Sequence, residues 1–164
     1  MKIYFIRHGI AAQRGTYADD KKRPLINKGI ERTTKVAKRL LAKKVKFDLI
    51  LTSPLTRAYQ TAEILKKVGL SEQMQTVSFL MPNGDLEECV EWLQANRASY
   101  RYGSLALVGH QPDLGNWIEI LIWGTIKAQI IVKKAGVVGL SLPVVGTPIS
   151  RSSLFLLSSP KWII

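Results

Sequence analysis

Four side chains in this sequence have the types needed for chemistry on a phosphoryl group. Arg7 and His8 are adjacent near the start of the chain, and Arg57 and His110 follow much further along. An imidazole nitrogen can attack phosphorus and hold the phosphoryl group as a covalent intermediate. A guanidinium group can bind two phosphate oxygens and neutralise the charge on the transferring group. These residues could transfer a phosphoryl group without a metal ion if the fold brings them together.

Both histidines follow directly after a predicted buried strand. Residues 3–6 are apolar, aromatic or branched, and Arg7-His8 follows them directly. Residues 104–108 form the second predicted strand, and Gly109-His110 follows it. In an open α/β sheet the carboxyl ends of parallel strands meet at one edge, and ligands bind there. The sequence therefore predicts that the two imidazoles lie close together.

Arg57 is predicted to reach the same edge from a helix. Residues 48–52 are predicted to form a strand, and Ser53 and Pro54 then favour a helix start, because serine caps free N–H groups and proline suits the first turn. This helix continues to about residue 68 and carries Arg57 in its first turn. The N-terminus of a helix favours an anion. A guanidinium and a helix N-terminus beside two histidines predict a phosphate pocket.

The remaining segments predict an α/β fold. Strands alternate with amphipathic helices, which implies right-handed crossovers and a mostly parallel sheet with helices on both faces. We expect one domain over residues 1–164, built as a three-layer sandwich, with the last two strands paired antiparallel. The further predicted helices are residues 27–44, 86–96 and 112–123, and the further predicted strands are residues 76–80, 137–142 and 154–157.

The composition favours a globular protein with an anionic partner. The chain has 164 residues, 46% of them hydrophobic, a mean hydropathy of +0.05 and a formal net charge of +12. Its single cysteine excludes an internal disulfide, and with only two histidines the sequence predicts neither a metal site nor a cofactor. No secretory signal and no membrane-spanning segment is predicted, so we expect a cytoplasmic location.

The motifs around these residues resemble those of a known family. They are Arg7-His8-Gly9, Ser53-Pro54-Leu55-Thr56-Arg57-Ala58 and Val108-Gly109-His110. In this order they resemble the histidine phosphatase superfamily, also called the phosphoglycerate-mutase-like family. The resemblance implies the phosphoglycerate-mutase-like fold and a phosphatase reaction in which His8 is phosphorylated. It also implies that Arg7, Arg57 and His110 bind the phosphoryl group.

Within that superfamily, the chain is similar to the compact phosphohistidine phosphatases of the SixA type. The similarity lies in its length, in Arg23-Pro24-Leu25, in residues 80–85 and in Ser159-Pro160-Lys161. It implies a substrate-binding role for Arg23 near the mouth of the pocket, and we assign Gly9 to the same role. This chain has little room for an insertion over the site. An open pocket suits a phosphorylated side chain presented by another protein.

The superfamily's usual proton donor is missing at its expected position. Most of its phosphatases carry an acidic residue after the third strand, where this chain has Ser78-Phe79-Leu80-Met81. The nearest carboxylates are Asp85, Glu87 and Glu88, and Asp85 also fits the N-cap of the next helix. An alkyl phosphate needs a donor because its leaving group is an alkoxide, whereas phosphohistidine can release a neutral imidazole. The missing acid therefore favours an N-phosphorylated substrate.

We therefore expect a metal-independent phosphatase that acts on phosphohistidine of a partner protein, such as a histidine-phosphotransfer domain. One alternative is a phosphatase of the same superfamily for small phosphomonoesters, which a donor carboxylate in the pocket would favour. Another is a phosphate-dependent binding module with little turnover, which a His8 unable to approach phosphorus in line would favour. Nucleic-acid binding through the charge of +12 is the most distant alternative, and no membrane partner is expected.

Overall fold

A six-stranded β-sheet is the centre of the fold. The computed structural model describes residues 1–101 and 103–164. The strands are β1 (Lys2–Arg7), β2 (Leu49–Thr52), β3 (Met74–Thr76), β4 (Ser104–Gly109), β5 (Val137–Ser141) and β6 (Ser153–Ser158). They lie in the order β3-β2-β4-β1-β5-β6. The first four are parallel to one another, and β5 is antiparallel to both β1 and β6. The predicted mostly parallel sheet, with its last two strands antiparallel, is confirmed.

Helices cover both faces of this sheet. They are α1 (Asn27–Ala42), α2 (Thr56–Val68), α3 (Leu86–Ala95), α4 (Arg97–Tyr100), α5 (Asp113–Trp123) and α6 (Pro160–Ile163), with a 3-10 helix at Asp20–Lys22. The apolar sides of α1 and α2 pack on one face, and those of α3 and α5 on the other. The predicted α/β class and three-layer arrangement are confirmed. Among the described residues, none of the helices has the length and apolar character needed to cross a membrane.

The central strand β1 contributes to both cores. Ile3 and Phe5 are buried on the α3–α5 face, whereas Tyr4 and Ile6 are buried on the α1–α2 face. The adjacent strand β4 alternates in the same way. Packing on both faces holds these two strands between the cores, and the residues that follow them lie at one edge of the sheet.

The buried face of α1 is rotated relative to the predicted one. Apolar spacing predicts that Ile30 lies in the core together with Ala37 and Leu40, yet Ile30 is 41% exposed. Gly29 is buried instead, and an added Cβ at this position would collide with the backbone carbonyl of Ile10. The loop after β1 therefore packs directly on the helix backbone, which requires a glycine on this face rather than a large apolar residue.

The predicted strand over residues 76–80 is wrong. β3 ends at Thr76, and Ser78–Leu80 forms a 3-10 helix. The Val77 N–H still donates to the Thr52 carbonyl at 2.9 Å, after which the chain turns and buries its apolar side chains on the α3–α5 face. A short apolar run can be buried in either conformation, so hydrophobicity alone does not distinguish them.

Candidate active site

The ends of β1 and β4 bring the two histidines together. The centroids of the His8 and His110 rings are 5.1 Å apart, and the residues are 6% and 3% exposed. The His8 N–H donates to the Gly109 carbonyl at 3.1 Å, which ties the end of β1 to the residue before His110. Adjacent parallel strands therefore place both imidazoles at one buried point of the sheet edge.

A local hydrogen bond determines which nitrogen of His8 is free. Nδ1 lies 2.7 Å from the Gly9 carbonyl oxygen, and a carbonyl only accepts, so the ring proton belongs on Nδ1. Burial, then the neighbouring His110 and two arginines, lower the pKa of His8 to about 2. The ring is therefore neutral near pH 7, with an unprotonated Nε2. That is the form of imidazole that can attack phosphorus.

Gly9 orients this loop and packs too tightly for a side chain. Its N–H donates to Thr61 Oγ1 at 3.0 Å, and that hydroxyl donates to the Arg57 carbonyl at 2.8 Å. A Cβ at Gly9 would lie 2.5 Å from Thr33 Oγ1, which is closer than van der Waals contact allows. The hydrogen bonds of Gly9 are with His8 and with Thr61 of α2, and its role in substrate binding stays a prediction.

His110 is oriented by a serine that also serves the start of α2. His110 Nε2 lies 2.9 Å from Ser53 Oγ, which accepts the Leu55 N–H at 3.3 Å. Because the serine oxygen already accepts there, its O–H can donate to Nε2, which leaves the ring proton on Nδ1. Burial, then three nearby arginines, lower the pKa of His110 to about 3, so the ring is neutral. Its Nδ1–H is then a donor.

Two arginines are each anchored at one end of the guanidinium. Arg7 Nη1 donates to the Val132 carbonyl at 3.0 Å, and Arg57 Nη1 donates to the Asp20 carbonyl at 2.9 Å. Burial lowers the pKa of both arginines, and the nearby Arg23 contributes for Arg57. The anchors hold the guanidinium planes in place and leave the Nε–H groups unused.

Three buried donors of this site have no hydrogen-bond partner within residues 1–101 and 103–164. They are Arg7 Nε, Arg57 Nε and His110 Nδ1. Buried polar groups are nearly always paired, and each unpaired one costs about 1–3 kcal/mol. Two guanidinium donors and one imidazole donor match the oxygens of a phosphoryl group. The site is therefore suited to an anion with several oxygens.

Arg23 lies beside this site and is linked to Arg57 through a carboxylate. Arg23 Nε donates to Asp20 Oδ1 at 2.8 Å, and its Nη1 donates to the Ala12 carbonyl at 2.9 Å. The other carboxylate oxygen, Asp20 Oδ2, lies 3.2 Å from Arg57 Nη2. The hydrogen bond from Arg23 is the main cause that lowers the pKa of Asp20, so this carboxylate stays ionised near pH 7.

The candidate proton donors lie at the start of α3. Asp85 Oδ1 accepts the Glu87 N–H at 2.7 Å, so the predicted cap is confirmed, and Asp85, Glu87 and Glu88 are all exposed. Within the described residues, no three histidine, cysteine, aspartate or glutamate side chains are grouped so that they could hold a metal ion.

Two side chains of this site are not predicted from the sequence. Ser53 is predicted only as a helix cap, yet α2 begins at Thr56 and the serine hydroxyl contacts His110. Asp20 lies in a polar loop without a motif, and it contacts Arg57 only through the fold. Ser53 lies within the Ser53–Ala58 motif, and that position could have indicated a role in the site. No motif around Asp20 indicates that it belongs to the site.

Comparisons with known proteins identify the family. Residues 3–81 match the model of the histidine phosphatase superfamily (branch 1). An uncharacterized protein of Picosynechococcus sp. is 46% identical over 165 residues, which cover 100% of this chain and 99% of that protein. The phosphohistidine phosphatase SixA of Escherichia coli is 31% identical over 125 residues, 76% of each chain. This chain belongs to the histidine phosphatase superfamily.

A solved structure of a superfamily member has the same fold. The protein histidine phosphatase SixA, complexed with tungstate, aligns with a TM-score of 0.86 and 25% identity over 100% of both chains. The predicted phosphoglycerate-mutase-like fold is therefore confirmed. As a member of the superfamily with this fold, the chain is a histidine-type phosphatase, a hydrolase that works through a histidine intermediate.

Proposed function

We propose that this histidine phosphatase removes the phosphoryl group from phosphohistidine on a partner protein, with His8 as the nucleophile. The observation that carries the proposal is the set of three unpartnered buried donors around His8, supplied by Arg7, Arg57 and His110. A phosphoryl group bound there accepts hydrogen bonds through its oxygens and presents phosphorus to the free Nε2 of His8. The likeness to SixA supports the same substrate class.

The first step transfers the phosphoryl group to the enzyme. The lone pair of His8 Nε2 forms a bond to phosphorus while the bond from phosphorus to the substrate imidazole breaks. The electron pair of that bond returns to the substrate nitrogen. Because the other nitrogen of the substrate ring carries a proton, the leaving group is a neutral imidazole. Arg7 and Arg57 neutralise the charge on the phosphoryl oxygens during transfer.

The second step releases phosphate. A water oxygen bonds to phosphorus as the bond to His8 Nε2 breaks, and the electron pair returns to that nitrogen. The water protons leave with inorganic phosphate and to solvent. His8 is again neutral, which its lowered pKa favours. The donors that bound the substrate phosphoryl group also bind the product.

The carboxylate beside the pocket is a poor proton donor. The Asp20 carboxylate is a negative charge that acts on the pocket, since it raises the pKa values of His110 and Arg57 against the lowering effects of burial and neighbouring arginines. Its own pKa is lowered, mainly by the hydrogen bond from Arg23, so it carries no proton near pH 7. An alkoxide leaving group would therefore depart without assistance. This favours phosphohistidine over an alkyl phosphate.

Cations at the mouth of the pocket support an acidic phosphoprotein as the substrate. Arg14 and Lys134 are exposed. Arg14 lies close enough to contribute to the lowered pKa of Arg57, and the pKa of Lys134 is itself lowered by burial, then by Arg7 and Arg23. Positive potential of this kind attracts an anionic surface and speeds its encounter.

The test compares three substrates without added metal: a phosphohistidine protein, a phosphoserine protein and para-nitrophenyl phosphate. We expect kcat/KM for phosphohistidine to exceed that for phosphoserine about 100-fold or more, which is the contribution of a general acid. Para-nitrophenyl phosphate should also react, because nitrophenolate leaves without a proton. His8→Asn should abolish all three reactions while it still binds tungstate.

The outcomes separate the proposal from its alternatives. Equal turnover of phosphoserine and phosphohistidine would replace the proposed substrate with a general phosphomonoester. Tungstate binding by the wild type without turnover of any substrate would instead indicate a binding module. With a substrate that carries a radiolabelled phosphoryl group, the label should become attached to the wild-type chain in an acid-labile form. The same labelling in His8→Asn would contradict His8 as the nucleophile.

A further inference from the structure

Glu119 is a fully buried carboxylate that the reaction does not use. It lies in α5 and is 0% exposed. Its Oε2 accepts the backbone N–H groups of Lys127 and Ala128, the latter at 2.8 Å. Its Oε1 accepts those of Gln129 and Ile130, each at 2.6 Å. One carboxylate therefore binds four consecutive backbone amides.

These hydrogen bonds are strong because the acceptor is charged. Burial alone raises the pKa of Glu119, but the bonds from Ile130, Lys127, Gln129 and Ala128 outweigh it and leave the pKa below its usual value. An ionised carboxylate forms shorter and stronger hydrogen bonds than a neutral group does. Residues 127–130 are thus held firmly against α5.

The segment held by Glu119 leads directly to the anchor of Arg7. Gln111, next to His110, donates from Nε2 to the Ile130 carbonyl and accepts the Val132 N–H on Oε1, both at 3.3 Å. The Val132 carbonyl in turn accepts Arg7 Nη1 at 3.0 Å. Two side chains therefore fix residues 127–132, and the end of this segment sets the orientation of the Arg7 guanidinium.

The main chain of Arg7 has separate supports. It lies in β1, opposite Gly109 of β4, and its carbonyl accepts the Ala135 N–H at 3.0 Å. A change in residues 127–132 would therefore leave the Arg7 backbone in place and alter the direction of its side chain. Arg7 Nε, one of the three unpartnered donors, would move with the guanidinium.

We propose that Glu119 is a positioning residue that aims the Arg7 guanidinium at the phosphoryl group through residues 127–132. This proposal rests on the proposed function of Arg7. Glu119 itself contacts neither His8 nor a donor of the pocket in the observed hydrogen bonds. A shift of about 1 Å in an aligned catalytic group can reduce catalysis strongly, so a distant anchor can matter.

The test is a double-mutant cycle on the affinity for tungstate, measured by calorimetry. Glu119→Gln replaces one carboxylate oxygen by an NH2 group that cannot accept the backbone N–H groups. We expect it to weaken tungstate binding about tenfold in the wild-type background and less than about twofold in an Arg7→Ala background, because coupled residues are not additive. Glu119→Asp keeps the charge on a shorter side chain and provides a milder second variant.

A control separates positioning from loss of stability. Ile118→Val removes one methylene from the fully buried neighbour of Glu119, so it should lower the melting temperature without changing tungstate affinity. In nitrogen-15 spectra, the Arg7 Nε–H signal should shift when tungstate binds to the wild type. In either Glu119 variant with tungstate added, this signal should instead lie near that of a free arginine side chain.

The results distinguish this proposal from the one on which it rests. Unchanged tungstate affinity in Arg7→Ala would overturn the proposed role of Arg7. If Arg7→Ala weakens binding but the loss from Glu119→Gln is the same in both backgrounds, Glu119 does not act through Arg7 and the inference is wrong. The Arg7 Nε–H signal of Glu119→Asp gives a second test. If this signal, with tungstate bound, stays at its wild-type position, the inference is also wrong.

Discussion

The Asp20 carboxylate lies 3.2 Å from the guanidinium of Arg57, which we expect to bind phosphate. The contact has two parts, because the Asp20 backbone carbonyl also accepts Arg57 Nη1 at 2.9 Å. The backbone part orients Arg57, while the carboxylate places a negative charge beside an anion site. The Asp20 side chain is 42% exposed, so solvent and salt screen part of that charge.

Asp20→Asn should make the protein bind its product more tightly. The substitution keeps the backbone contact to Arg57, and an amide oxygen can still accept from Arg23, but the negative charge is lost. We expect the inhibition constant of inorganic phosphate to fall about fivefold at low salt, and by less at high salt, as a screened pair of charges predicts. Steady-state inhibition at two ionic strengths measures both values.

Asp19→Asn is the matched control for that experiment. It removes the same charge from the preceding residue. The Asp19 side chain accepts a hydrogen bond from the Lys21 backbone N–H and is not paired with an arginine in the observed ion pairs. It should change phosphate inhibition by less than about twofold. Weaker inhibition in Asp20→Asn would mean that the carboxylate holds Arg57 in place more than it repels the product.

Ser53→Ala should slow the reaction because it releases the His110 ring. Without the serine hydroxyl, Nε2 of the neutral ring can carry the proton, and Nδ1 would then present a lone pair to the phosphoryl oxygens. We expect kcat/KM for the phosphohistidine protein to fall about tenfold, the value of one hydrogen bond to a charged group. Initial rates of phosphate release measure this loss.

Ser71→Ala provides the same chemical change away from the pocket. Ser71 is also buried, and its hydroxyl donates to the Gln73 carbonyl at 3.0 Å. Both serine variants should lose about 1 kcal/mol of unfolding free energy, but only Ser53→Ala should lose rate. A wild-type rate in Ser53→Ala would mean that the tautomer of His110 does not depend on this hydroxyl.

The strands that carry the histidines could be predicted from the sequence because they are buried on both faces. Residues 3–6 and 105–108 form continuous apolar runs, and a polar residue or glycine follows each run at once. Such a run is typical of a central strand covered on both faces, and β1 and β4 each extend one residue beyond it. The region after β3 lacked this property, since Phe79 and Leu80 are buried in a 3-10 helix rather than in a strand.

The contacts that orient the site could not be predicted, because they join segments far apart in the sequence. Ser53 and His110 are 57 residues apart, Asp20 and Arg57 are 37 apart, and Arg7 and Val132 are 125 apart. Two of these contacts use a backbone carbonyl, which every residue has. Neither hydrophobic periodicity nor a motif reports which carbonyl faces which side chain.

Lys134→Ala should weaken the reaction with a phosphoprotein more than that with a small substrate. The Ala135 N–H donates to the carbonyls of Arg7 and His8 at 3.0 and 3.2 Å, which holds Lys134 beside the pocket. Burial, then repulsion from Arg7 and Arg23, lowers the pKa of Lys134. We expect KM for an acidic phosphoprotein to rise about threefold, with para-nitrophenyl phosphate unchanged within about twofold.

Lys133→Ala separates the local effect of Lys134 from that of net charge. It removes one positive charge from the preceding exposed residue, so long-range steering changes equally in both variants. We expect Lys134→Ala to raise KM for the phosphoprotein more than Lys133→Ala does. The KM of Lys134→Ala should also depend less on salt concentration than the KM of the wild type. Equal effects of the two substitutions would attribute substrate attraction to the overall charge alone.

The two buried histidines should make folding stability depend on pH. The folded pKa values of His8 and His110 are lowered to about 2 and about 3, whereas an unperturbed histidine has a pKa of about 6.5. Above about pH 6.5 neither state binds these protons. Below it, the unfolded chain takes up protons that the folded protein excludes, so the unfolding free energy falls as pH falls from about 6.5 towards 3.

Urea unfolding at several pH values measures this dependence. Between about pH 6 and about pH 5 the unfolded chain binds nearly two extra protons, so the unfolding free energy should fall by about 2 kcal/mol. His110→Asn removes one titrating group and should reduce this slope by about half, whatever its effect on absolute stability. An unchanged slope in the variant would show that His110 is protonated in the folded protein. The proposal that a neutral His110 ring donates from Nδ1–H to the phosphoryl group would then be wrong.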